Sequence, residues 1–191
     1  MIKNKDNIEF FLNNNIHIPT KTIYFGSYGD TEENGVDHNL AAFMIKSLMI
    51  LDNSEGEINI IMNNIGGDVT HGMAIYDAIQ SCRNPVNIKV IGHAMSMGSV
   101  ILQAADHRCM TSNSKIMIHG GSWDIGGTLH IAQAWAEESK RWVSFLENLY
   151  LEKIKLKNKK ITKLKVKKML MTDTFLDAKE SLALGLIDEI V

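Results

Sequence analysis

Cysteine is scarce: Cys82 and Cys109 are the only two in 191 residues. Two isolated cysteines cannot form a disulfide framework and lack the paired spacing of a zinc site, so both read as small buried hydrophobes. No metal and no cofactor are implied. Long apolar runs are missing as well. Ala41–Leu51 is interrupted by Lys46 and Ser47 and falls short of the roughly 20 residues a membrane span needs. The opening Met-Ile-Lys-Asn-Lys-Asp carries no apolar core ahead of a small-residue cleavage site, so a cytoplasmic location is expected. With no internal repeat and no domain boundary, a single domain over residues 1–191 is expected, its first 20 residues a variable N-terminal arm.

What is present fits a globular chain, 45% hydrophobic and 22% charged. Charge is unevenly spread. Leu151–Met171 holds nine lysines against Glu152 alone, a local +8, which leaves −10 for the remainder of a chain whose net charge is −2. That block lacks interleaved aromatics and arginines, so it reads as a solvated helix-and-loop surface, with protein docking as the alternative and no role in nucleic-acid binding.

Residues 1–20 are asparagine-rich without a sustained period and read as a mobile or partner-dependent arm. Thr22–Phe25 is a short β-type run. Gly26–Asp37, with three glycines and four acids, reads as an exposed loop before a helix near His38–Asp52. Glu57–Asn63 is strand-like, Gly66-Gly67 breaks it, and Thr70 is placed to cap a helix running to about Cys82. A second unit of the same design follows: strand Val86–Ile91, a turn at His93–Met97, and helix Met97–Ala105. Lys115–Ile118 is a third strand. Alternating strands and helices at this spacing predict an α/β fold with a parallel-type sheet and right-handed crossovers.

After a glycine-rich turn, Ile131, Trp135, Trp142, Phe145 and Leu149 recur at mostly three- and four-residue intervals. One long helix is therefore expected from Thr128 to about Lys155 (residues 128–156 at most), about 40 Å at 1.5 Å per residue. Such a helix outruns a small core, so its stripe is expected to meet another subunit, with packing along its own core as the alternative. A further amphipathic helix spans about Thr162–Met171. Asp177 then opens a short helix, with Glu180 in a capping-box position and Gly185 as the stop.

The chemistry points to Gly92–Gly98. Ser96 sits at a strand-to-helix turn, with Ala94 and Gly98 two residues to either side relieving the crowding of a sharp turn. The following helix aims its free amides and its dipole at the same point, where an acyl-transfer oxyanion would form. A plain capping role is the alternative for Ser96. A nucleophilic serine needs a base and the base an orienting acid. Of seven histidines, His119 follows an apolar strand and precedes Gly120-Gly121, at the end where α/β sheets place their sites. His93, closer to the serine, competes with it. For the acid, Asp173 lies in a buried-looking context before Phe175-Leu176, with a helix-terminating role as the alternative. Gly66-Gly67 and the amide of Met97 can supply the two donors of an oxyanion hole, although a Gly-Gly pair also suits a simple tight turn.

Together, Asn63-Asn64-Ile65-Gly66-Gly67, Gly-Met-Ala-Ile-Tyr-Asp-Ala at 72–78, Gly-His-Ala-Met-Ser-Met-Gly at 92–98, Ile-Met-Ile-His at 116–119, Asp-Thr-Phe-Leu at 173–176 and Gly-Leu-Ile-Asp at 185–188 resemble, in order and approximate spacing, the proteolytic subunit of the Clp protease. The resemblance implies Ser96 as nucleophile, His119 as base, Asp173 as its orienter, and the amides of Gly67 and Met97 as the oxyanion hole. It also implies a crotonase-like spiral fold, the long helix as a handle, and a barrel of two stacked heptameric rings fed by an ATP-dependent unfoldase. The chain departs from the family where Asn64-Ile65 replace the usual Ser-Pro, Gly120 and Gly121 replace Gln-Pro, and His93 replaces a glutamine.

The reading is a serine endopeptidase acting on unfolded polypeptides through an acyl-enzyme. Strand-like segments after Gly67 (Asp68, Val69) and after His119 (Gly120, Gly121) are expected to hold an extended peptide by main-chain hydrogen bonds. The rivals are a crotonase-type enzyme acting on acyl-coenzyme A and a catalytically silent scaffold subunit of a ring.

Overall fold

A computed structural model of the protein describes residues 5–26 and 35–191. The expected loop at 26–37 falls mostly on residues 27–34, outside the described residues.

The centre is a mixed, mostly parallel sheet flanked by helices. Strand β1 (Ile16–His17) pairs antiparallel with β2 (Thr22–Phe25), which runs parallel to β3 (Ile58–Asn64), itself parallel to β4 (Val86–Met95). Strand β3 alternates buried and half-buried residues, placing Ile58, Ile60, Met62 and Asn64 inside. Strand β4 then serves two partners. Its first half pairs with β5 (His107–Met110), which continues to β8 (Glu189–Ile190), and its last three residues pair with β6 (Lys115–Ile118).

The switch occurs at a bulge. The β3–β4 register passes from Met62↔Val90 to Asn64↔Ala94, two extra residues on β4. Gly92 adopts φ +95 there, close against the Asn63 side chain, whose Oδ1 accepts the His93 N–H. The expected strand end at Ile91 is thus a bend within a longer strand. Strand β5 escapes a periodicity reading because its sequence, His-Arg-Cys-Met, looks like a charged turn. Arg108 is nonetheless buried there, donating to both Asp188 oxygens and to Gln103 Oε1.

Helices α2 (His38–Leu51), α3 (Val69–Gln80) and α4 (Met97–Leu102) pack in sequence, α2 on α3 and α3 on α4. Helix α3 starts one residue after Asp68, whose carboxylate accepts the His71 N–H at 2.9 Å, so Asp68 and not Thr70 is the cap. The N-terminal arm is helical from Lys5 to Asn14 (α1), despite its lack of period. Its asparagines gather at the helix end, where Asn15 takes φ +55 and closes it, as asparagine tolerates.

The long helix is present as α5 (Leu129–Lys157), 29 residues. Its buried residues, Leu146, Glu147, Leu149, Tyr150 and Ile154, all lie in the second half, while Leu129, Ile131 and Trp135 are exposed. Trp142, half-buried and stacked on Phe145, belongs to the packed half. Helix α6 (Lys163–Leu170) packs on α5. Strand β7 (Thr174–Leu176) follows, then α7 (Ala178–Leu184), with the Asp177–Glu180 capping box and Gly185 at φ +95 as expected. The lysines of the basic block are exposed except Lys153, half-buried and with its pKa lowered by that burial. No helix among the described residues is long and apolar enough to cross a membrane.

Candidate active site

Sheet register builds the site. Strands β6 and β7 are antiparallel with Ile116↔Leu176, Met117↔Phe175 and Ile118↔Thr174 in register. One step further along the ladder sets His119 opposite Asp173, and His119 Nδ1 lies 3.1 Å from Asp173 Oδ1. Strand β4 lies parallel to β6 with Met95 beside Met117, and the Ser96 N–H donates to the Met117 carbonyl at 2.8 Å. The serine turn is thereby pinned beside the histidine, and Ser96 Oγ lies 2.7 Å from His119 Nε2.

Ser96 holds φ +49 and ψ −121, a sparsely populated conformation for a non-glycine residue. Its hydroxyl does not cap α4, so the capping alternative fails; it points at the imidazole instead. The strain is held by contacts on both sides of the turn. The Ser96 carbonyl accepts from Ser99 Oγ at 2.6 Å, and Ser99 Oγ is itself 2.6 Å from the hydroxyl of the buried Tyr150 on α5. Burial pushes the Tyr150 phenol well above its usual range despite that hydrogen bond.

Opposite the serine runs the Gly66–Gly67 segment. Gly66 (φ +101) lies against the Ser96 turn, where an added Cβ would stand 2.6 Å from Ser96 Cβ and 2.7 Å from the Met95 carbonyl oxygen. Asn64, buried at the end of β3, accepts the Gly66 N–H at 2.8 Å. Val36, expected in an exposed loop, is buried and forms a parallel bridge with Gly67. Its N–H donates to the Gly66 carbonyl and its carbonyl accepts from Asp68 N. A parallel bridge bonds the residues flanking Gly67, so the Gly67 N–H points away from Val36. The Met97 N–H, first in α4, has no intrahelical acceptor. Gly72 on α3 makes room for the Met97 side chain, which a Cβ there would strike.

The predicted residues are therefore brought together unevenly. Ser96, His119 and Asp173 form a hydrogen-bonded series, and Gly67, Met97, Val69 and Gly121 line the same pocket of about 80 Å³. Asp173 is not buried as its neighbours suggested: its side chain is 59% exposed against 18% for His119. His93 points out from β4 and is exposed, so it does not meet Ser96. The segment after Gly67 is not a strand, since Asp68 caps α3 and Val69 begins it. The Gly120 N–H is already donated to the Leu170 carbonyl at 2.8 Å. Sequence reading missed Val36, Ser99, Tyr150 and Trp123, none of which lies in a motif with a chemical signature of its own, and it placed Asn64 in the Gly66-Gly67 motif without its role of accepting the Gly66 N–H. Neither cysteine enters the site; burial raises the Cys82 thiol to about 11 and keeps it protonated.

The sequence matches the Clp protease family over residues 32–191. It is 34% identical over 160 residues to the ATP-dependent Clp protease proteolytic subunit of Deinococcus radiodurans, covering 82% of this chain and 76% of that protein. A match of that extent takes in strands β3 to β8 and the long helix, and this chain belongs to the Clp protease family.

Proposed function

We propose that the chain is a serine endopeptidase, the proteolytic subunit of an ATP-dependent Clp-type protease that hydrolyses unfolded polypeptides. The Ser96–His119–Asp173 hydrogen-bond series carries this reading. His119 Nε2 takes the Ser96 proton as Oγ attacks the peptide carbonyl. The tetrahedral oxyanion receives the N–H groups of Gly67 and Met97, aided by the N-terminus of α4. His119 then passes the proton to the departing amine, leaving an acyl-serine. A water, deprotonated by His119, releases the acid and restores the serine hydroxyl. Asp173 fixes the imidazole tautomer from Nδ1 and stabilises the imidazolium. Val69 receives a substrate side chain, and the peptide backbone crosses between Gly67 and Gly120-Gly121.

A ring of such subunits, two heptamers face to face in the cytoplasm with an unfoldase at the pore, is the assembly this reading entails. The exposed first half of α5 supports it, because Leu129, Ile131 and Trp135 lack cover in the single chain. The test is covalent labelling. A fluorophosphonate probe should mark Ser96 in the native protein and leave Ser96→Ala unmarked. Ser96→Ala and His119→Ala should each lower peptide hydrolysis by several orders of magnitude. His93→Ala should remain active; a dead His93→Ala beside a live His119→Ala would reassign the base.

A further inference from the structure

The triad pocket is small, and two indoles, Trp123 and Trp142, are part of its lining. At about 80 Å³, it has Val69, Met97, Val100, Trp142 and Leu146 as its apolar lining together with Trp123. Beyond lies a larger cavity of about 580 Å³ between α5 and α6, reaching Ser144, Glu147, Lys167 and Leu170. Gly121 and Trp123 border both spaces. An apolar cavity of about 150 Å³ admits benzene, so the smaller space suits a short aliphatic side chain and excludes an aromatic ring. The larger one is of a size that takes whole small molecules.

Trp123 follows the catalytic histidine by four residues and is brought over the pocket by Gly121, at φ +93. Both indoles lie beside Gly121, where a Cβ would stand 3.4 Å from Trp123 Nε1 and 3.7 Å from Trp142 Nε1 in ordinary contact, so it is the positive φ and not space that favours glycine there. The Trp123 ring N–H is buried and has no acceptor among the described residues. Its position is therefore set by packing and by the turn rather than by a polar partner, and ring area is what it contributes.

We propose that Trp123 is the specificity-determining residue of this peptidase: its indole walls the triad pocket off from the cavity beneath α5 and limits the residue preceding the scissile bond to short aliphatic side chains. The proposal rests on the peptidase reading above. With Trp123 truncated, the two spaces join and long or aromatic side chains gain entry.

The experiment compares kcat/KM of the full chain on fluorogenic peptides differing only in the residue before the scissile bond, alanine, valine or phenylalanine. Native protein, Trp123→Ala and Trp123→Phe are each checked for fluorophosphonate labelling of Ser96. Native protein should favour alanine and valine. Trp123→Ala should raise the phenylalanine-to-alanine ratio about tenfold or more, the scale on which pockets discriminate by size. Trp123→Phe, which keeps a wall and lacks the N–H, should retain the native ranking. A native preference for phenylalanine, or a labelled and active Trp123→Ala with an unchanged ratio, overturns the proposal. Absence of labelling in the native protein sinks the peptidase reading itself.

Discussion

Replacing Gly66 by alanine tests whether the strained serine turn is held from across the site. The new Cβ would stand 2.6 Å from Ser96 Cβ, 2.7 Å from the Met95 carbonyl oxygen and 2.9 Å from Met97 N. Carbon atoms prefer about 3.5–4.0 Å, so these contacts lie about 1 Å inside the optimum, and most are to backbone that cannot rotate away. Overpacking of this kind costs about 1–3 kcal/mol. The backbone adds its own penalty, since Gly66 holds φ +101, where a side chain costs roughly 1–2 kcal/mol. A loss of about 2–5 kcal/mol in the unfolding free energy is expected from urea titration. The same displacement moves Ser96 and Met97, and misplacement near 1 Å costs on the order of a hundredfold in rate. Gly126→Ala is the matched control, because a Cβ there meets nothing within 4 Å. It should be neutral in both assays. A Gly66→Ala protein with native midpoint and native kcat/KM would refute the idea that this glycine braces the nucleophile.

Two further outcomes follow from the fold. Burial raises the Asp188 pKa, but the hydrogen bonds from Arg108 outweigh it and hold the carboxyl below its ordinary 3.8. A native pKa below the unfolded one adds stability at pH above about 4 that disappears as pH falls through the lowered value. Asp188→Asn should therefore be less stable than native protein near neutrality, with the gap in urea midpoint closing on acidification; a gap independent of pH would contradict the assignment. On α5, Trp135 is 53% exposed, and covering such a side chain is worth roughly 1.5–3 kcal/mol when complete. Trp135→Asp should shift the protein to smaller species in sedimentation velocity, whereas an unchanged large particle would remove that stripe from the assembly contact.

Legibility in the sequence followed the locality of the forces. The β6 strand, the long helix and the Asp177–Gly185 helix were readable because their signals are local: a three-residue apolar run, a three-to-four period, a capping box and a C-terminal glycine. Strand β5 was not, since one of its two inward residues is Arg108, stabilised by Asp188 from eighty residues away. Ser96 and His119 could be singled out by position in a turn and after a strand. Their pairing depends on β4 switching partners at the Gly92 bulge, which no local pattern encodes. Asp173 was found, yet its exposure was misjudged, because flanking apolar residues report the alternation of β7 and not the face that Asp173 occupies. Val36 and Trp123 come from segments whose composition says only loop.

The Tyr150 hydroxyl makes α5 more than a projecting rod. From Trp135 to Tyr150 is fifteen residue steps of continuous helix, about 22 Å of stiff backbone. One end carries uncovered apolar surface; the other reaches Ser99, and through it the Ser96 carbonyl, by two hydrogen bonds of 2.6 Å. The turns from Leu146 onward are packed against the core. A tilt of the free arm would therefore reach the Ser96 turn along the helix and through those two hydrogen bonds.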